Sequence, residues 1–253
     1  MRIGILGTGT LAVALGAAWG RAGHEVRVGG RSRERARAAA ERMGGAATAV
    51  EPAAAVAGRD AVLVAVAWEG LADILGAAGA AGGSLAGTPL IDPTNAVAHG
   101  VGELLVAGGR SAAEQVADLA PGAHVVKGFH LFAADQWQPG RAPVTVALAG
   151  DDAAALATVS RLVEDAGGRP AVLGPLRRAR QLEEVAGFVI GLAFSGVDPA
   201  TAVPHVPAPA DAPADAPAGE TPAAPAAPAD ETPARPAAPA GPQDAVAHPQ
   251  PAA

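Results

Sequence analysis

Short β-branched runs alternate with longer Ala-rich stretches over roughly the first 200 residues, and a glycine-rich turn separates the first run from the first stretch. The run at residues 61–66, Ala-Val-Leu-Val-Ala-Val, is apolar throughout, without polar alternation. These observations predict an α/β protein built on a doubly wound parallel sheet. Crossover helices cover both faces of such a sheet, so its inner strands have no polar side.

The elements follow in order. Ile3-Gly4-Ile5-Leu6 reads as the first strand, and residues 10–22 as a helix ended by Gly23. Residues 25–28 form a second strand. Ser32 is a suitable N-cap for a helix running to Met43, with Arg and Glu outward. Residues 61–66 and 89–92 are strands, 110–119 a helix, and 124–127 a strand. After Pro139-Gly140-Arg141 the same alternation continues on a smaller scale. A strand at 144–148, a helix at 151–166, a short strand at 171–173 and a final apolar helix at 181–194 are read as a small C-terminal α/β lobe. From Pro207 the material changes: more than half of the 23 prolines lie there, with no aromatic residue and Val246 as the only branched aliphatic. Such a segment cannot offset its ordering entropy by burial and is expected to be disordered.

Composition narrows the function classes. The chain of 253 residues has no cysteine and no tyrosine. Disulfides, thiolate metal sites, thiol nucleophiles and a Tyr-Lys reductase dyad are therefore excluded. Lys127 is the single lysine beside 17 arginines, and the net charge is −7, of which −5 falls in residues 207–253. Neither segment has the basic footprint of a nucleic-acid binder. Residues 3–20 carry no charge and follow Arg2, as in a secretory leader. Their glycines, however, have phosphate-loop spacing and the segment runs straight on into a strand, so a cytoplasmic protein is expected. No other apolar run reaches the roughly 18 residues needed to span a membrane. The histidines at 24, 99, 124 and 205 lack metal-ligand spacing, and no metal is expected.

The chemistry starts at Gly7-Thr8-Gly9-Thr10-Leu11-Ala12, a G-x-G-x-x-A turn between strand and helix. Gly7 makes the tight turn, Gly9 admits a pyrophosphate to the backbone, and Ala12 keeps helix and strand close, as in the Rossmann dinucleotide-binding fold. The helix N-terminus presents free N–H groups to the phosphates. An NAD site would place an acidic residue at the end of the second strand. Here the chain reads Val28-Gly29-Gly30-Arg31-Ser32-Arg33-Glu34-Arg35. Arg31, Ser32 and Arg35 are placed to take a 2′-phosphate instead, so NADP is expected over NAD. Asp92 and Asn95 lie at the carboxyl end of the strand at 89–92, where ligands bind in open α/β sheets, and Asn95 is taken as a cofactor-site residue. Three divisions are expected: an NADP-binding Rossmann domain over 1–140, a small lobe over 141–206 completing the substrate site, and the Pro/Ala-rich tail over 207–253.

Residues 1–196 resemble the NADPH-dependent reductases of the deazaflavin coenzyme F-420. The likeness rests on the Gly-rich loop and Gly-Gly-Arg-Ser, on Val66-Ala67-Trp68-Glu69 and on Arg110-Ser111-Ala112-Ala113-Glu114. It continues in Val125-Val126-Lys127-Gly128-Phe129-His130, Ala149-Gly150-Asp151-Asp152 and Gly174-Pro175-Leu176. The resemblance implies hydride transfer between NADP(H) and the deazaflavin. It implies that Thr8, Gly9, Thr10 and Leu11 line the pyrophosphate, and that Arg31 and Arg35 take the 2′-phosphate. Trp68 and Ala72 would border the cofactor, Ala134 would meet the nicotinamide amide, and His130 and Phe132 would face the deazaflavin. Gly30 stands where some relatives have serine, leaving Ser32 as the substitute; Ala67 and Ala133 stand where relatives often have proline. His130, the catalytic candidate, and Lys127 are the best polar groups near the reacting centre. Another small acceptor (flavin, quinone, imine or carbonyl) and a non-catalytic NADP sensor remain open. The final apolar helix offers a homodimer contact.

Overall fold

The computed structural model describes residues 1–45, 47–98 and 100–206. The expected tail and His99 lie outside the described residues.

Strand β1 (Arg2–Leu6) leads through the glycine turn into α1 (Thr10–Arg21); β2 (Glu25–Gly29) and α2 (Arg33–Met43) follow. Next come β3 (Ala47–Val50), α3 (Pro52–Val56), β4 (Ala61–Val64), α4 (Leu71–Ala77) and β5 (Pro89–Asp92). Then α5 (Ala112–Leu119), β6 (His124–Lys127), β7 (Thr145–Gly150), α6 (Ala153–Asp165), β8 (Arg169–Gly174) and α7 (Ala179–Phe194) complete the chain. The strands form one eight-stranded sheet in the order 3-2-1-4-5-6-7-8. All neighbours pair parallel except β6 and β7, which run antiparallel with Lys127 opposite Ala149. This is the doubly wound Rossmann-like fold that the sequence predicts.

The alternation of side chains along a strand divides the interior into two cores. Ile3, Ile5, Ala61 and Leu63 point to one face and pack with Leu15 and Trp19 of α1, Met43 of α2 and Leu162 of α6. Leu6, Val62 and Val64 point to the other, against Ile74 and Leu75 of α4, Val116 of α5 and Leu182 of α7. All four residues of β4 are buried, as the unbroken apolar run requires. Three short elements were not anticipated from the sequence: β3, α3 with Pro52 in its first turn, and α4.

Residues 141–206 supply β7, α6, β8 and α7. They extend the same sheet, and Trp19 of α1 donates its indole N–H to the Leu162 carbonyl of α6 at 2.8 Å. Helix ends are held as their sequences suggest. Ser32 accepts from the Arg35 N–H at 3.2 Å, Ser111 and Glu114 form a capping box on α5, and Asp152 accepts from Ala155 at 2.7 Å. Among the described residues, no helix is long and apolar enough to cross a membrane.

Candidate dinucleotide and acceptor site

The strand order reverses between β1 and β4, and the crevice at their carboxyl ends is the ligand position in such sheets. Gly7 leaves β1 with φ 130°; its N–H donates to the Gly29 carbonyl at 2.8 Å. A Cβ at residue 7 would lie 2.0 Å from the Ala65 carbonyl oxygen, so the turn admits no larger residue. Gly9 is the opposite case: nothing lies within 4 Å of where its Cβ would be. It occupies the N-cap of α1 without a side-chain cap, and the first turn holds no acid. The first N–H groups of a 12-residue helix are thus free to meet an anion.

A cleft of 220 Å³ opens there. It brings together Gly7, Thr8, Gly9, Arg31, Ser32 and Arg35, with Ala65, Val66 and Ala67 as the opposite wall. At its β2 end Arg31 pairs loosely with Asp73 of α4, 3.7 Å away, with both side chains exposed. The Ser32 hydroxyl accepts from the Arg35 N–H and keeps its own proton to donate. A Cβ at Gly30 would meet the Thr8 methyl at 2.8 Å, which pairs the glycine at this position with the threonine in the loop.

The remaining expected residues lie outside this cleft. Thr10 and Ala134 line an adjoining groove of 380 Å³ with Val13, Ala14 and Trp137. Leu11 is half-buried in the first turn of α1. Trp68 packs beside Ala96 and Val106, and Ala72 is exposed on α4. Another cavity, of 520 Å³ along α6 and β8, holds none of the expected binding residues.

Asn95 and His130 meet at the carboxyl ends of β5 and β6: the Asn95 amide donates to the His130 carbonyl at 2.7 Å. Asn95 Oδ1, both ring nitrogens of His130 and the indole N–H of Trp137 are buried without a hydrogen-bond partner. Buried orphan polar groups are rare in native proteins and call for an explanation, such as a ligand. The residue before His130, Phe129, has φ 61°, an uncommon conformation for a bulky side chain. It is wedged edge-on between Trp19 and Trp137, with ring centroids 6.0 and 5.1 Å away. Phe132 contacts Trp137 at 6.2 Å. Burial above all, and then the nearby Lys127 ammonium, push the His130 imidazole down to about 3. The Leu182 carbonyl opposes this weakly, without reaching hydrogen-bond geometry. The ring is therefore neutral at physiological pH.

Lys127, a polar candidate near the reacting centre in the sequence reading, ends β6. It is fully buried, and its ammonium contacts Asp92 at 3.1 Å, Glu183 at 2.8 Å and the Thr94 carbonyl. All three N–H donors are used. Glu183, which sequence reasoning missed, also accepts from the first N–H groups of α5, at Ala112 (2.7 Å) and Ala113 (3.2 Å). Its signal was a carboxylate on the buried stripe of α7, beside Leu182 and Ala186. No group of three or more His, Asp or Glu among the described residues could hold a metal.

Fold and crevice together define a Rossmann-type dinucleotide-binding protein. Residues 2–96 match the family of NADP oxidoreductases that depend on coenzyme F-420, which bears out the resemblance read from the sequence. The structure is similar to a crystal structure described as a candidate F-420-dependent NADP reductase from Arthrobacter sp. FB24. That pair shares 29% identity over 77% of this chain and 95% of the other, with a TM-score of 0.67. A hypothetical protein from Sinorhizobium meliloti shares 27% identity over 70% and 85% of the two chains, with a TM-score of 0.61. An imine reductase from Streptomyces aurantiacus, at 21% identity and a TM-score of 0.57, shares the fold; the match spans 78% of this chain and 64% of that one. No curated protein matches the chain. The matched family and the Arthrobacter protein are both named as NADP-dependent oxidoreductases.

Proposed function

We propose that the protein is an NADPH-dependent oxidoreductase whose acceptor is the deazaflavin coenzyme F-420. The observation that carries the NADP reading is the β2 end of the cleft, where Arg31, Ser32 and Arg35 line it beside an open helix N-terminus and, among the described residues, no carboxylate lines it. The α1 N–H groups would take the pyrophosphate, beside Thr8, Gly9, Thr10 and Leu11. Arg31 and Arg35 would bind the 2′-phosphate in paired, charge-assisted hydrogen bonds. Trp68 and Ala72 would border the cofactor, and Ala134 would meet the nicotinamide amide.

For the acceptor, the match of residues 2–96 supports the deazaflavin, and the orphan polar atoms of Asn95, His130 and Trp137 support a polar-edged aromatic ligand nearby. When both are bound, the nicotinamide would supply a hydride and the deazaflavin would accept it with a proton from solvent. The protein's part is to hold the two rings in contact and exclude water, so positioning supplies most of the catalysis. His130, neutral and buried, can donate one ring N–H to orient the acceptor but carries no imidazolium proton to give. Phe132 would pack against the ring. Imine or carbonyl reduction would call for a proton donor, and Lys127 is committed to its three acceptors. We also propose a homodimer through the apolar face formed by Val185 and Phe188 of α7 with Val101 and Leu105, all exposed. Light scattering after size-exclusion chromatography tests it.

The test of function is a panel of acceptors mixed anaerobically with enzyme and NADPH. Oxidation with the deazaflavin that outpaces flavin, quinone and imine acceptors supports the reading. Preference for an imine moves the protein to another reductase class, and NADPH binding without any oxidation supports the sensor reading.

A further inference from the structure

Asp92, Lys127 and Glu183 form a buried ionic cluster that the hydride-transfer reading does not use. Asp92 ends β5, Lys127 ends β6, and Glu183 lies on α7, so one ammonium joins three elements. A buried ion pair is weak grounds for stability, since a well-packed apolar replacement is often neutral or better. Here the cluster also has a directional connection to the acceptor site. Asp92 Oδ1 accepts from the Thr94 N–H at 2.9 Å and the Thr94 hydroxyl at 2.6 Å, which folds residues 92–94 into a tight turn. Lys127 holds the Thr94 carbonyl at the end of that turn. The next residue is Asn95, whose amide fixes the His130 carbonyl. On the β6 side the Gly128 N–H donates to the Asp92 carbonyl at 3.2 Å, and the chain then passes through the strained Phe129 to His130. Lys127 to Asp92 and Thr94, Gly128 to Asp92, and Asn95 to His130 thus clamp residues 92–95 to residues 127–130.

We propose that Lys127 is a positioning residue for the acceptor site: through Thr94 and Asn95 it sets the place of the His130 ring. Lys127 has no N–H left for a substrate and touches no reacting atom. Arginine at residue 127 would keep the charge. Its planar fork cannot place one nitrogen among three acceptors, so the turn and Asn95 must shift. Misplacement of about 1 Å can cost on the order of 10²-fold in rate. None of the cluster residues lines the phosphate end of the crevice at β1 and β2, so the phosphate contacts of NADPH are spared.

The kinetic part rests on the deazaflavin reading, so the deciding experiment does not need an acceptor. The ring ¹⁵N resonances of His130, assigned with His130→Leu, are read in protein saturated with NADP⁺. Lys127→Arg and Asn95→Ala are each expected to move them, and the double variant should match Asn95→Ala alone, because Lys127 acts through Asn95. In single turnover, Lys127→Arg should slow hydride transfer by at least about tenfold while calorimetry finds NADPH affinity within about twofold of the parent. If Lys127→Arg fails to fold, Glu183→Gln, which removes one charge and keeps the side-chain shape, takes its place in the same comparison. Unmoved His130 resonances in a folded variant, or shifts that add in the double variant, overturn the proposal. If the parent protein never reduces the deazaflavin, the functional reading falls and the resonance comparison still decides this one.

Discussion

Burying a neutral histidine makes stability depend on acid in a way that can be isolated. His130 binds its proton near pH 6.5 in the unfolded chain and only at about 3 in the folded one. Between those values the unfolded state holds the extra proton, so stability rises with pH in that window. His130's contribution is fully present above about pH 6.5 and is lost progressively as pH falls toward 3. The whole gap corresponds to about 5 kcal/mol, and the part lost between pH 7.5 and about pH 4.5 to about 3 kcal/mol. His130→Leu removes the titrating ring and keeps an apolar side chain in the space. Urea unfolding of parent and variant at both pH values cancels the carboxylates common to the two. The parent should lose about 3 kcal/mol more than the variant on acidification, with an unchanged denaturant slope. Equal losses would refute a buried neutral ring.

Three further outcomes follow from the crevice and from the composition. Gly7→Ala should destabilise strongly, by more than the about 1–3 kcal/mol of a strained backbone alone, because its Cβ would strike the Ala65 carbonyl; Gly9→Ala should keep the melting temperature and lose NADPH, as calorimetry and thermal melts would show. NADP should bind at least about tenfold tighter than NAD, equivalent to about 1.4 kcal/mol, and Arg31→Asp should weaken NADP while sparing NAD in titration calorimetry. Deleting residues 207–253, which lie outside the described residues, should leave melting temperature and NADP affinity nearly unchanged, as the segment's composition offers almost nothing to bury; a loss of several degrees would contradict this.

Local features of the chain were legible where chemistry and pattern coincide. The strand, glycine turn and helix at residues 2–21 follow from steric demands that only glycine meets at Gly7, and Ser32 was readable as an N-cap because its hydroxyl serves the next turn. The elements that escaped are short and Ala-rich. β3 reads Ala-Thr-Ala-Val and α3 is five residues long, too little for either periodicity to register. The site divides in the same way. The phosphate loop and the arginines after β2 are sequence neighbours and gather in one cleft, whereas the environment of Lys127 depends on partners 35 positions away at Asp92 and on a different helix at Glu183. Side-chain type alone made Lys127 a polar candidate near the reacting centre; packing makes it an anchor. The neutrality of His130 was equally out of reach, because desolvation is a property of what surrounds the ring.

The proposed reaction, direct hydride transfer from NADPH to a deazaflavin, can be followed by the fate of a label. NADPH carrying deuterium at the transferred C4 position is mixed with enzyme and oxidised coenzyme F-420 in single turnover, and the products are read by mass spectrometry and NMR. Direct transfer places deuterium at C5 of the reduced deazaflavin, together with a primary isotope effect on the transfer step. Deuterium released to solvent, or NADPH that stays bound and unoxidised beside the deazaflavin, would contradict it.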